Sequence, residues 1–473
     1  MRHLVFAMAA WLLAFDAGAA ALPTAVMQSL KAAGIPLSGV AVEAREVGAR
    51  SALFSLNTRQ AMNPASTMKL LTTYAALDML GPAYQWKTEA YLDGELKDGV
   101  LHGNLVLKGY GDPKFTLEQF WLWLRELRAR GLREIRGDLV LDRSFFELPP
   151  HDPAAFDNDP VRAYNVGPDA LLLNFNTLRL RYLPDGNGMK IISEPPLDGM
   201  RLDNRLTPQP AKGCGNWDDG ILVQPGGDSV VLQGGYPGEC GEREHHLNVM
   251  PHTRYVEAVF RALWQELGGT LHGKQRDGIA GGNAHLFSTH YSEPLGAVIR
   301  DINKFSNNVM ARQLFLTLGA ATSSASLARD DGAISSNIER STRALLDWLR
   351  KQRLDFPELV LENGAGLSRS ERISAAHLAQ LLQHAAAHSL GAEFESSLPI
   401  LGVDGSVKKR LKESAAASHA HLKTGTLEGV KTIAGYVRSR SGREWVVVFF
   451  INHPNAKYGQ AAQDALIEWV RER

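Results

Sequence analysis

The period of the apolar positions changes several times along the chain. LPTAVMQSLKAAGIP, from Leu22 to Pro36, predicts a short helix. SGVAVEAREVGARSALFSLN, from Ser38 to Asn57, predicts two strands around a Gly-Ala-Arg turn. A helix is predicted from near Ser66 to Leu80, where Gly81-Pro82 stops it. Roughly 200 residues of different texture follow, with short alternating strands (GNLVLKG, GDLVLDRS, TLRLRYL, DSVVLQGG) between Gly-Asp, Asp-Gly and Pro turns. Two helices interrupt them, TLEQFWLWLRELRARG and TRYVEAVFRALWQELGG. Helices return after HLFSTHYSEPLGAVIRDI. The end of the chain reads as the strands AHLKTGTL, TIAGYVRS and EWVVVFFIN, then the amphipathic helix GQAAQDALIEWVRER. Early and late strands are expected to share one sheet with helices on both faces, an α/β (α+β) domain in two chain segments split by a mostly β insertion of two subdomains.

Composition supports a folded, multidomain chain. The 473 residues suggest two to four domains. Lys plus Arg and Asp plus Glu balance at 51 each, so bulk charge gives no ground for a nucleic-acid or anionic-membrane partner. The start of the chain sets a compartment. Arg2 and His3 precede an apolar run from Leu4 to Phe15, and DAGAAALP then offers small-residue cleavage sites between Ala17 and Ala21. This is a secretory signal pattern. No later stretch has the apolar length of a transmembrane helix, so a mature protein without a membrane anchor is expected. In an oxidising compartment the two cysteines, Cys214 and Cys240, are expected to pair, closing a Gly-rich loop.

The chemistry begins at Ser66-Thr-Met-Lys69. Ser and Lys spaced i, i+3 can point to one side of a first helical turn. A buried, unprotonated lysine can take the proton of a serine nucleophile, and the helix start favours negative charge on its oxygen. Ser-x-x-Lys alone is weak evidence, and a second copy, Ser406 to Lys409, sits in an exposed-looking basic run. Two further motifs add weight. Ser306-Asn307-Asn308 lies at a junction of helical segments, and Lys423-Thr424-Gly425-Thr426 lies on a strand. Ser306 offers a hydroxyl to pass a proton to a leaving amine, and Asn308 can bond a substrate amide. Lys423 and Thr424 begin an anion-binding strand whose Lys423 supplies the cation. Gly425 leaves room for an acyl chain, and Thr426 adds a hydroxyl.

Ser-x-x-Lys, Ser-x-Asn and Lys-Thr-Gly in this order resemble the signature of penicillin-binding proteins and serine β-lactamases. More narrowly, the chain resembles the class C penicillin-binding proteins, the D-alanyl-D-alanine carboxypeptidase/endopeptidases of peptidase family S13. Ser66 and Ser306 lie 240 residues apart, as a long insertion there requires, and GYGDPKF and ENGAGLSR match two further family segments. The resemblance implies a β-lactamase/transpeptidase-like domain with an antiparallel sheet covered by helices. The expected division is a signal peptide at 1–21, the catalytic domain at 22–88 and 285–473, an inserted domain at 89–168 and 248–284, and a second β-rich inserted domain at 169–247. It implies acyl transfer through Ser66 on periplasmic peptidoglycan stem peptides and cross-links, with β-lactams as covalent inhibitors and no cofactor. It also implies that Arg369 takes a carboxylate and that an acidic residue of the insertion takes an amine, Asp159 or the neighbouring Asp157, with Tyr164 as an aromatic wall. Glu428 stands where relatives are expected to carry glutamine. Subunit partners, a second copy or other wall enzymes, stay open.

Two other functions compete with this reading: a serine β-lactamase or esterase on the same fold, and a wall-binding scaffold with a vestigial site. The long insertion exceeds what a compact lactamase needs, and the intact motif set argues against vestige. GGTLHGKQ, from Gly268 to Gln275, imitates a phosphate loop but places Gln275 where a magnesium-binding hydroxyl belongs. His384 and His388 have zinc-like spacing without a third ligand, so a solvated helix face and no metal are expected.

Overall fold

The computed structural model describes residues 22–185, 188–210, 213–326 and 337–473, with backbone alone at 322–326. The signal segment, 1–21, lies outside the described residues. The main sheet has five antiparallel strands in the order Ala420–Leu427, Val430–Arg438, Glu444–Asn452, Val40–Glu46, Phe54–Leu56. Both ends of the chain therefore build it, with Val40 opposite Ile451 and Glu46 opposite Trp445. The nearly continuous apolar run of Glu444–Asn452 reflects burial on both faces. Val447, Phe449 and Ile451 pack with Val26, Leu30, Leu466 and Val470 of the two terminal helices, Thr24–Ala32 and Gln460–Arg471. Val446, Val448 and Phe450 face the opposite way, into a core with the helices Lys69–Leu80 and Ala375–Ala387.

The helix Lys69–Leu80 is buried along its whole first two turns, which is why its sequence lacks a polar face. It ends at Gly81, at φ +80°. The helices Leu295–Phe305 and Asn308–Ser326 pack beside it.

The insertion is built on a seven-stranded sheet around the hairpin Lys87–Lys97 and Val100–Gly109. His285–Tyr291 pairs with Lys87–Lys97 in that sheet, so the chain returns to the catalytic portion after Tyr291 and not at residue 285. Two three-stranded sheets follow, one around Leu178–Asp185 and one around Ser229–Pro237. A single apolar cluster runs through all of it: Leu105, Trp123 and Phe260 belong to the same core as Leu180, Tyr182 and Tyr236. Residues 169–247 thus share their core with the rest of the insertion. Cys214 and Cys240 are joined by a disulfide there.

Polar bonds fix the insertion to the catalytic portion. Gln313 Nε2 donates to the Asp169 carbonyl at 2.8 Å, and its Oε1 accepts from the Asp169 N–H at 3.0 Å. Buried Arg312 donates to the Val166 carbonyl at 3.2 Å. Lys114 of the insertion reaches Asp301 on the helix Leu295–Phe305 at 2.7 Å. The segment from about residue 152 to 170 is thereby held near the catalytic helices.

Candidate active site

Ser66 sits in a 3-10 turn, Ala65–Met68, that runs directly into the helix Lys69–Leu80. The turn is strained: Ala65 has φ +45°, a region that costs a residue with a Cβ about 1–3 kcal/mol and persists only where its surroundings enforce it. Here they do. Asn63 Oδ1 accepts from the Ala65 N–H at 2.8 Å, while Asn63 and Asn452 exchange two further hydrogen bonds at 2.8 and 3.1 Å. The Pro64 carbonyl accepts from Thr67 Oγ1 and from Thr432 Oγ1, both at 2.7 Å. Gly425 completes the seat. A Cβ built on it would lie 2.8 Å from both Ser66 N and the Pro64 carbonyl oxygen. The space kept free at Gly425 is therefore occupied by the serine's own turn, not by an acyl chain as the sequence suggested.

Lys69 is fully buried. Its Nζ lies 2.9 Å from Ser66 Oγ and 2.6 Å from Asn308 Oδ1, and it also donates to the Ala365 carbonyl. Burial pushes its pKa well below the usual lysine range, and the charge of Lys423 pushes it further down, against Glu371. A neutral Lys69 keeps two N–H groups for Asn308 and Ala365 and turns its lone pair to the Ser66 hydroxyl. The Ala365 carbonyl is aimed by a loop that wraps a buried carboxylate. Glu371 Oε1 accepts from the N–H groups of Glu362, Asn363 and Gly364, at 3.1, 2.9 and 2.9 Å. Thr72 Oγ1 fixes the same loop by donating to the Gly364 carbonyl at 2.7 Å.

Ser306 closes the helix Leu295–Phe305 in the left-handed conformation, φ +58°. Lys423, fully buried on the strand Ala420–Leu427, donates to Ser306 Oγ at 2.7 Å and to the Thr424 carbonyl at 2.8 Å. Burial lowers its pKa to about 7. Thr426 is exposed on this edge strand. Residues from three distant parts of the chain thus meet: Ser66 and Lys69, Ser306 and Asn308, Lys423 to Thr426.

Other expected residues fall differently. Arg369 is half-exposed, with its guanidinium 4.8 Å from the ring centre of Phe156 and 3.6 Å from Glu428 Oε2. Phe156 belongs to the insertion, so the insertion does reach this rim, but with a ring. Asp159 pairs with Arg162 at 2.8 Å, and Arg162 also reaches Asp218 at 3.3 Å. Asp157 accepts from Tyr164 Oη and Asn165 Nδ2, each at 2.7 Å. His384 and His388 do not form a solvated face. Tyr74 Oη lies 2.7 Å from His384 Nδ1, and His388 Nε2 lies 3.1 Å from Asp78 Oδ1. A Glu-x-x-Leu-Asn segment, the spacing that supplies the deacylating glutamate of class A lactamases, is present at Glu244 to Asn248. It lies in the insertion's strand Arg243–Leu247, where Glu244 faces Arg181 at 3.5 Å.

The sequence set Ser406 aside, as the second Ser-x-x-Lys copy in an exposed-looking basic run. It lies beside the site, with Thr424 Oγ1 donating to its Oγ at 2.8 Å. Arg312 and Glu371, buried charges around Lys69, were passed over as well. No spacing rule marks Arg312 or Glu371, and the Ser-x-x-Lys spacing at Ser406 pointed to a different role.

Comparison with known proteins agrees with the fold. A crystal structure of penicillin binding protein 4 from Haemophilus influenzae superposes with a TM-score of 0.76 at 24% identity, covering 94% of this chain and 99% of that one. A predatory peptidoglycan endopeptidase from Bdellovibrio bacteriovorus superposes with a TM-score of 0.51 at 14% identity, covering 90% of each chain. In sequence, the D-alanyl-D-alanine carboxypeptidase DacB of Haemophilus influenzae is 25% identical, over 88% of this chain and 85% of that protein. A D-alanyl-D-alanine carboxypeptidase of an Actinomadura species is 28% identical, over 91% and 80%. The model of the D-Ala-D-Ala carboxypeptidase 3 (S13) family matches residues 24–473, and the chain belongs to that family.

Proposed function

We propose that the chain is a serine D-alanyl-D-alanine carboxypeptidase that also cuts D-alanyl–meso-diaminopimelate cross-links of peptidoglycan, and that β-lactams acylate its serine. The observation that carries this reading is the position of Lys69 Nζ, within hydrogen-bond reach of both Ser66 Oγ and Asn308 Oδ1. Neutral Lys69 takes the Ser66 proton as Oγ attacks the carbonyl carbon of the penultimate D-alanine. The Ser66 N–H, at the start of the helix, faces the developing oxyanion. The C–N bond then breaks, and the leaving amine takes a proton passed from Lys69 by way of Ser306. Water, deprotonated by the same lysine, hydrolyses the Ser66 ester. Lys423 and Thr424 hold the substrate carboxylate, Thr426 adds a hydroxyl beside the acyl chain, and Asn308 Nδ2, which has no partner among the described residues, donates to a substrate amide carbonyl.

For cross-links, Arg369 takes the diaminopimelate carboxylate and Asp159 its amine, with Asp159 leaving Arg162 to do so; Asp157 is the competing choice. Phe156 and Tyr164 form the aromatic rim. Export to the periplasm fits the leader pattern, and among the described residues no helix is long and apolar enough to cross a membrane.

Purified cross-linked muropeptides, digested and read by mass, test the reading. Wild-type protein should release D-alanine and convert cross-linked dimers to monomers. Ser66→Ala should do neither and should fail to bind a fluorescent penicillin covalently. Intact substrate with the wild-type protein, or labelling that survives Ser66→Ala, would refute it.

A further inference from the structure

We infer that Ser406, oriented by Thr424, supplies a hydroxyl donor to the substrate's free carboxylate, a specificity residue outside the three motifs; this deepens the function proposed above and rests on it.

The two hydroxyls come from different elements. Thr424 is on the strand Ala420–Leu427, and Ser406 is in the 3-10 turn Gly405–Val407. Among the described residues, the 2.8 Å bond between them is the one hydrogen bond each hydroxyl makes. Thr424 donates its proton to Ser406 Oγ, so the Ser406 proton is left to point at an anion. The preceding residue on the strand, Lys423, carries the site's cation to Ser306. A carboxylate bound along this strand would find the Ser406 hydroxyl in addition to the Lys423 ammonium, the donor types that charge-assisted recognition uses.

The turn is built to hold position. Asp404 Oδ2 pairs with buried Lys304 at 2.7 Å, and its Oδ1 accepts from the Ile400 N–H at 2.7 Å. Gly405 has φ +57°, and a Cβ there would lie 2.7 Å from the Lys304 carbonyl oxygen. Only glycine lets the turn approach the end of the helix that presents Ser306. On the other side Val407 is buried, and Arg410 is held to Asp464 at 2.5 Å. Ser406 is therefore exposed on a turn anchored at both ends, two residues past the Lys304 clamp.

The chemistry sets the substrate class. In a D-alanyl-D-alanine terminus, in a D-alanyl–diaminopimelate cross-link and in a penicillin, a carboxylate sits one carbon beyond the scissile nitrogen. Ser406 would serve all three, whereas Arg369 would serve only the peptide substrates, which carry diaminopimelate.

The test compares acylation of wild type, Ser406→Ala and Ser406→Thr by benzylpenicillin and by its methyl ester, in which the carboxylate is capped. Loss of one hydrogen bond to a charged group predicts that Ser406→Ala slows acylation by benzylpenicillin about tenfold and leaves the ester within about twofold of wild type. Ser406→Thr, which keeps the hydroxyl, should recover most of the rate. Equal losses on acid and ester would mean that the turn merely supports the site, and an unchanged rate on the acid would mean that Ser406 meets no carboxylate. Either result overturns the inference. Because the readout is acylation, it stands apart from peptide turnover: a wild-type protein that is acylated but leaves muropeptides intact refutes the proposed function and still decides the role of Ser406.

Discussion

Gly425→Ala isolates how closely the strand Ala420–Leu427 must approach the nucleophile. The added methyl would lie 2.3 Å from Thr432 Oγ1 and 2.8 Å from two backbone atoms, Ser66 N and the Pro64 oxygen. The Thr432 hydroxyl can rotate away, at the loss of its bond to Pro64. The backbone atoms cannot. Ordinary contact begins at about 3.4 Å, so strand and serine turn must separate by about 0.6 Å. Overpacking of this kind costs about 1–3 kcal/mol in stability. The catalytic loss is expected to be larger. A displacement approaching 1 Å at a reacting atom costs on the order of a hundredfold, and here the shift falls on the turn that carries Ser66. Acylation by a fluorescent penicillin should slow by about tenfold to a hundredfold, with thermal unfolding measured on the same samples. Gly238→Ala, where a Cβ meets nothing within 4 Å, should change neither quantity. A Gly425→Ala protein that acylates at the wild-type rate would refute the claim that this glycine seats the nucleophile.

Lys69→Arg should nearly stop acylation, because a guanidinium does not give up its proton, whereas Lys423→Arg keeps the charge and should retain more activity; equal rates for Lys69→Arg and wild type would remove Lys69 from the mechanism. The two lysines act in opposite protonation states, so pH separates them. Lys69 must be neutral, and burial pushes its pKa well below the usual lysine range, whereas Lys423 must be charged and burial lowers its pKa to about 7. KM for a peptide with a free carboxylate should therefore rise above pH 7, and KM for the corresponding amide should stay flat across the same range. Asp159→Ala and Arg369→Ala should slow cross-link hydrolysis by about tenfold or more while penicillin acylation changes little; parallel losses would point to support of the fold instead. Reduction of Cys214–Cys240 should destabilise the insertion by about 3–4 kcal/mol on the chain-entropy estimate, read by denaturant unfolding, with penicillin labelling retained in the folded protein.

What could be read from the sequence had a local period or spacing. The short apolar run of Glu444–Asn452 and the longer one of Lys69–Leu80 predicted their elements because burial imposes those patterns. Ser66 and Lys69 share a helical turn, so their pairing was visible. That Lys69 meets Asn308, and Lys423 meets Ser306, is a tertiary fact that local spacing does not encode; only the order of the motifs announced it. Where tertiary contact decided the outcome without such an order, the reading failed. His384 and His388 were expected on a solvated face because no third ligand accompanied their spacing, but that helix packs against Tyr74 and Asp78 of the catalytic helix. Ser406 shared its stretch with exposed lysines, and its value comes from Thr424, which arrives from another strand. Asp159 shows the opposite case. Its partner Arg162 stands three residues away, a spacing readable as an ion pair, and the resemblance to relatives drew attention from it. The structure makes that pair the obstacle to any role for Asp159 in recognition, because the carboxylate must leave one arginine before it can accept an amine. Arg162 is also held by Asp218, so it would not be left unpaired by the exchange. This second partner makes the exchange physically accessible. It also implies that Asp218→Ala, remote from the serine, should tighten Arg162 on Asp159 and weaken cross-link cleavage in the same direction as Asp159→Ala.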